Sequence, residues 1–266
     1  MVFKGIVKYL NRGKPGNQPL RKMRAVINNN LTKGGHLSAQ PMGALFNFVA
    51  DNLETGQENV YHFPVLKDNP YKADTGKLGD LIQSVKPELI IFGKSMFLCK
   101  EPVSFVAKIV GKMDPRPILM FDMAHVLGLY GAFQSPFAEG ADIVTGSSHK
   151  TFFGPQRGIV AGNMGQGTGL DKLWIEIKSR AFPGSTSNHH LGTLLGLLLA
   201  TYEMNEFKLA YQQQVIKNAR AFARALNSRG IAVEGDAYEG FTETHQVVIR
   251  VKIGRASCRE RVSSPV

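Results

Sequence analysis

Residues 140–153 read GADIVTGSSHKTFF. A short apolar run, residues 142–145, gives way to small polar residues and then presents His149, Lys150 and Thr151. Upstream, residues 118–122 (ILMFD) form a second apolar run that closes on a carboxylate, with Met123, Ala124 and His125 behind it. Short apolar runs of this kind are the pattern of strands buried on both faces. The pair therefore predicts two strands, one ending in Asp122 and the next followed, 28 positions on, by Lys150.

An acid at one strand end and an amine just past the next is the pair that a pyridoxal phosphate enzyme needs. Lys150 would form a Schiff base with the cofactor aldehyde, and Asp122 would keep the pyridine nitrogen protonated, which makes the ring an electron sink.

Further out, the chain alternates strands with helices. Residues 88–93 (ELIIFG) and 158–162 (GIVAG) are apolar runs, and residues 60–66 alternate weakly. Residues 76–85 and 103–112 read as helices, and residues 41–52 can place Met42, Leu45, Phe46 and Val49 on one helical face behind Pro41. Such alternation predicts an α/β fold, a mostly parallel sheet with helices on both faces. Ligands in these sheets lie beyond the carboxyl ends of the strands. Ser95, Asp122, His125 and Lys150 all follow apolar runs at that edge. Residues 188–226 read as a long helical region in one or two pieces, its leucines over 191–199 being core residues. Residues 229–234 and 246–252 read as strands of a smaller unit.

The 266 residues are 43% hydrophobic, enough for one large domain. The formal charge of +11 is concentrated at the ends: residues 1–25 carry seven Lys/Arg and no acid, and residues 253–266 contribute +2, which leaves +2 for the body. A balanced body argues against a nucleic-acid partner. Residues 1–25, with Gly13, Pro15, Gly16 and Pro19 close together, read as loop or as the edge of a truncated chain. Residues 253–262 (IGRASCRERV) resemble the translation of a common sequencing adapter, so 253–266 is set aside as a non-native tail. Only Cys99 then remains, which leaves neither a disulfide nor a cysteine metal site, and His189 and His190 have no acid at ligand spacing. No secretory signal is visible, and the most apolar stretch, residues 191–200, is roughly half the length a bilayer span requires. The expectation is a cytoplasmic protein without membrane or metal. Its expected division is a ragged segment over 1–25, a cofactor-binding large domain over 26–228, the start of a small C-terminal α/β domain over 229–252, and the tail.

Residues 117–162, PILMFDMAHVLGLYGAFQSPFAEGADIVTGSSHKTFFGPQRGIVAG, resemble serine hydroxymethyltransferase. The likeness continues through Gly34, Gly35, His36, Leu37 and Ser38, through Ser95, and downstream through residues 182–184 and 242–245. It implies a fold-type I pyridoxal-phosphate-dependent transferase. On this resemblance Lys150 is the Schiff-base lysine, Asp122 the partner of the pyridine nitrogen and His125 the histidine near the phenolic oxygen. His36 would stack on the ring, Ser95 would line the pocket, and Ser147 and Ser148 would replace threonines. Ala39 stands where the family has a second histidine, Gln156-Arg157 interrupts its Gly-Pro-Arg-Gly-Gly, and Ser187-Asn188 replaces a Gly-Gly pair that reaches a neighbouring subunit's phosphate. These departures mark a divergent branch. The family's phosphate cradle at a helix start lies upstream of the stacking histidine, where residues 1–25 offer only Gly13 to Gly16 as a weak match, and its carboxylate-clamping arginine would lie beyond residue 252, so the chain reads as an internal fragment, inactive by itself.

The resemblance implies interconversion of serine and glycine by retro-aldol cleavage, with tetrahydrofolate as one-carbon acceptor, in a homodimer or tetramer. The alternatives are a folate-independent aldolase or transaldolase of β-hydroxy amino acids, or a non-catalytic subunit that keeps the fold.

Overall fold

The apolar runs become the middle of a six-stranded sheet. The computed structural model describes residues 1–35, 37, 43–164 and 169–251. Its strands are β1 (Val26–Asn28), β2 (Val60–His62), β3 (Leu89–Phe92), β4 (Ile118–Asp122), β5 (Ile143–His149) and β6 (Phe153–Gly162), in the order β2-β1-β3-β4-β5-β6. All pairings are parallel except the last, where β6 runs back along β5.

Every residue of β3 and β4 is buried. Side chains alternate across a strand, so Ile90, Phe92, Leu119 and Phe121 enter one apolar cluster, while Leu89, Ile91, Ile118 and Met120 enter another. Helices α2 (Thr75–Val85) and α3 (Val103–Val110) cover the first face with Leu78, Ile82, Val103, Val106 and Val110. Helices α1 (Val2–Leu10) and α4 (Asp171–Ala181) cover the second with Ile6, Leu173 and Ile177. The predicted α/β fold, mostly parallel with helices on both sides, is the observed one. The 37-residue α5 (Leu191–Asn227) follows as a single helix.

Four local expectations need correction. Residues 2–10 are helical rather than loop: Val2, Phe3 and Ile6 share one buried face, and a side chain at Gly5 would meet Ile177 Cγ1 at 2.8 Å, so the glycine lets α1 lie close on α4. Residues 43–52 form turns and bridges, not a helix. Their amides and carbonyls serve other segments, Met23 N–H donating to Phe48 O (2.9 Å), Ala50 N–H to Met23 O (2.7 Å) and Asn59 N–H to Ala50 O (2.9 Å), yet Leu45 and Val49 still reach the core. Pro41 and Met42 lie outside the described residues. The expected small-unit strands reduce to one antiparallel bridge, Val233 with Ile249. The leucines of 191–199 are not core: Leu191, Leu195 and Leu199 are more than 60% exposed, and α5 instead buries Ala200, Met204, Gln212, Ala219 and Ala223. Small residues let that stripe seat closely, and the bulkier leucines face away. Residues 253–266 lie outside the described residues. No described helix is long and apolar enough to cross a membrane.

The start of β3 is fastened by Glu88. Arg21 grips its carboxylate with two nitrogens at 3.0 Å each, Arg24 Nε adds a third contact at 3.0 Å, and the Arg24 amide donates at 2.8 Å. Burial pushes the carboxyl up, but the guanidinium and amide donors outweigh it and hold the group below its ordinary 4.5. A depressed carboxylate pKa contributes stability above the unfolded value, lost as pH falls through the native one. Glu88→Gln should therefore destabilise the fold by about 2 kcal/mol at neutral pH. Its penalty should shrink as denaturation is followed below pH 4.5. Parallel acid limbs in urea melts of the two proteins would contradict this.

Candidate active site

The site is assembled where β4 and β5 end side by side. Asp122 is paired in register with Thr145, and Met123 N–H donates to Thr145 O at 2.7 Å. The Asp122 side chain is 7% exposed, and its Oδ1 accepts the Ala124 amide at 2.9 Å, which fixes the turn that leads to His125. β5 runs on past Thr145, and its pairing with β6 shifts register between Ser147 and His149. Such a bulge re-aims the chain. Lys150 follows at once, with its Nζ 3.0 Å from His125 Nε2. The residues therefore bring together Lys150 and His125 by direct contact, with Asp122 on the adjacent strand end.

Thr151 locks the two loops. Its hydroxyl donates to His125 O at 2.9 Å and accepts the Gly128 amide at 3.1 Å. A side chain at Gly128 would collide with the Thr151 carbonyl, so only glycine permits this approach. Helix α5 adds two clamps: Tyr211 donates to Thr151 O at 2.7 Å, and the buried Gln212 amide donates to Gly128 O at 2.9 Å and Tyr130 O at 3.0 Å.

Ser95 lies beyond β3, half-buried, with its amide on Gly34 O at 2.6 Å and its carbonyl held by Gln246 Nε2 at 2.7 Å. Ser147 is half-buried on β5, and its hydroxyl has no hydrogen bond among the described residues. Ser148 differs: it is fully buried, donates to Pro155 O at 2.6 Å and accepts the Arg157 amide at 3.1 Å, so β6 engages its hydroxyl. His36 lies outside the described residues. His189 and His190 are exposed, His189 against the Phe182 ring and His190 giving its carbonyl to Arg157 at 2.7 Å. Among the described residues no group of His, Cys, Asp or Glu is placed to hold a metal ion. Chemically, the site offers a primary amine within hydrogen-bond reach of an imidazole, beside a buried carboxylate. That is an arrangement for nucleophilic attack on a carbonyl with local proton transfer.

The family model for serine hydroxymethyltransferase matches residues 19–259, the whole sheet and α2 to α5. The chain belongs to the serine hydroxymethyltransferase family. Serine hydroxymethyltransferase of Archaeoglobus fulgidus is 41% identical over 195 residues, 73% of this chain and 42% of that protein. Its counterpart from Methanosphaera stadtmanae is 36% identical over 260 residues, 96% of this chain and 55% of that one. The crystal structure of L-threonine transaldolase from Pseudomonas fluorescens in internal aldimine state superposes with a TM-score of 0.70 at 29% identity, covering 93% of this chain and 51% of that one. The chain spans about half the length of the relatives it matches.

Sequence reading of this serine hydroxymethyltransferase relative found the residues that touch one another at the strand ends and missed those that brace them. Gln212 sits in a Gln-Gln-Gln run, where nothing marks which amide turns inward. Thr151 follows the motif lysine directly, which was the available signal. Thr151→Val keeps the shape and removes both hydroxyl contacts, stranding the buried Gly128 amide. It should cost about 1–3 kcal/mol in chemical denaturation. A change below a few tenths would show that the two loops are held without it.

Proposed function

We propose that this protein acts with pyridoxal phosphate and, in its complete form, interconverts serine and glycine, with tetrahydrofolate as the one-carbon acceptor. The carrying observation is the Lys150–His125 contact of 3.0 Å beside buried Asp122, in a chain of this family. The donor set suits the cofactor: an aldehyde calls for an amine, and a pyridine nitrogen for a carboxylate. When bound, that group supplies an electron sink for cleavage of the serine Cα–Cβ bond. Lys150 would hold it through its amine. Asp122 would hold a proton at the ring nitrogen, in a low-dielectric setting where a charge-assisted contact is strong. His125 Nε2 is within reach to exchange a proton with Lys150 Nζ when that amine is released. By family likeness, His36 would stack on the ring, and Ser95 and Ser147 would line the pocket. The open hydroxyl of Ser147 supports its assignment. The exposed leucines of α5 support a homodimer or tetramer, because apolar patches of this kind mark interaction sites. The proposed location is the cytoplasm.

The similarity to an L-threonine transaldolase favours one second reading, folate-independent cleavage of β-hydroxy amino acids. Serine turnover that requires tetrahydrofolate supports the first reading. Turnover of threonine or other β-hydroxy amino acids without folate supports the second. In the complete protein, a covalent cofactor adduct without any turnover points to a non-catalytic subunit.

Reconstitution with pyridoxal phosphate, borohydride reduction and peptide mapping should locate the adduct on Lys150 and lose it in Lys150→Ala. An adduct that survives in that variant sinks the assignment. In the complete protein, Asp122→Asn should retain cofactor binding while kcat falls by about ten- to a hundredfold, the loss of one charge-assisted hydrogen bond. Turnover near that of the unmodified protein would remove Asp122 from the proton-holding role.

A further inference from the structure

A buried ion pair lies under the same sheet edge without any part in the chemistry above. Lys94 and Glu101 have side chains 2% and 1% exposed, and their charges meet at 3.0 Å. Lys94 Nζ also donates to Tyr71 O at 2.9 Å. The other Glu101 oxygen accepts Asn29 Nδ2 at 2.7 Å, and the Gly93 amide points at it from 3.5 Å. Asn29 Nδ2 donates in addition to Gly93 O at 3.1 Å. Glu101 thus grips both ends of one peptide turn, the Gly93 amide directly and the Gly93 carbonyl through Asn29. Gln134 fixes Glu101 in turn, accepting its amide at 3.0 Å and donating to its carbonyl at 2.7 Å.

Gly93 is where β3 meets β4. Its φ is +107°, and a Cβ there would collide with the carbonyl oxygen of Asp122. The main chain of Asp122 therefore rests against a turn whose position Glu101 sets, and the residue after Lys94 is Ser95. A buried ion pair is not required for stability, because apolar replacements of similar volume are often neutral or better. This one ties the ends of β1, β3 and β4 to the start of α3 at the edge where the candidate cofactor residues emerge.

We propose that Glu101, paired with Lys94 and bonded through Asn29 to Gly93, is a positioning residue that aligns Asp122 and Ser95 for the pyridine ring. This rests on the cofactor reading above. The decisive comparison is between two double variants. Lys94→Met with Glu101→Leu removes the charges and the acceptor. Lys94→Met with Glu101→Gln removes the charges but keeps an acceptor for Asn29. Each protein is titrated with pyridoxal phosphate and followed by the visible band of the Lys150 adduct as pH is varied.

The leucine variant should bind the cofactor about tenfold more weakly and show a displaced pH midpoint of the band, whereas the glutamine variant should recover both to within about threefold. A role in stability alone would separate the two only in their melting temperatures. Equal binding by both variants and the parent overturns the inference, and so does equal weakening of both, since the hydrogen bonds to Asn29 would then carry nothing. If the leucine variant does not fold, Asn29→Ala supplies the test from the other side: unchanged affinity and band there also overturn it. A parent protein without any reducible Lys150 adduct overturns the cofactor reading and this inference together, whereas an adduct with unresponsive variants overturns the inference alone.

Discussion

The candidate site depends on the register between β4 and β5. Both faces of β4 are covered by apolar residues, so sliding it by a residue would still bury hydrophobic side chains. Alternation, which fixes register in half-exposed sheets, has little hold here. Polar contacts set it instead. At the entry end, the Asp142 carboxylate accepts the Leu119 amide at 2.8 Å and Arg116 at 2.8 Å, while the Asp142 amide donates to Leu119 O at 2.8 Å. At the exit end, the Met123 amide donates to Thr145 O at 2.7 Å. With both ends held, Asp122 faces Thr145, and the few residues from there to Lys150 have little latitude.

What the sequence made legible follows from the same physics. β4 was readable to its last residue and β3 nearly so, because burial on both faces demands unbroken apolar runs and the flanking Pro117 and Gly93 are conformational breaks. Asp122, His125 and Lys150 were readable because Asp122 closes such a run and the other two lie within five residues of a run's end. Helix α1 was hidden by its short length and by the glycines and prolines behind it. Its helicity rests on contact with α4, which the local sequence does not contain. Residues 43–52 looked helical because their apolar spacing suits a helix, but their hydrogen bonds belong to segments around Met23 and Asn59.

The bracing residues were illegible for a different reason. Gln212 reaches loops more than 80 positions away, and Asn29 reaches Glu101 from 72. No local pattern encodes such distances. The leucine face of α5 was misread because an apolar helical stripe looks the same whether its cover comes from its own sheet or from elsewhere. Only the structure shows that the inward stripe is the one built from Ala200, Met204, Ala219 and Ala223.

The strand order has a consequence for how the molecule forms. Leu89 pairs with Ile118 only 29 positions on, and Met120 with Ile143 only 23 positions on, whereas Val26 must find Leu89 across 63. Closing a longer loop loses more chain entropy, and non-local pairing slows folding. The stretch from β3 to β6 is thus the natural nucleus, with β1 and β2 docking onto it afterwards. Asp122, His125 and Lys150 all belong to that early segment, whereas Asn29 reaches Glu101 only once β1 has docked.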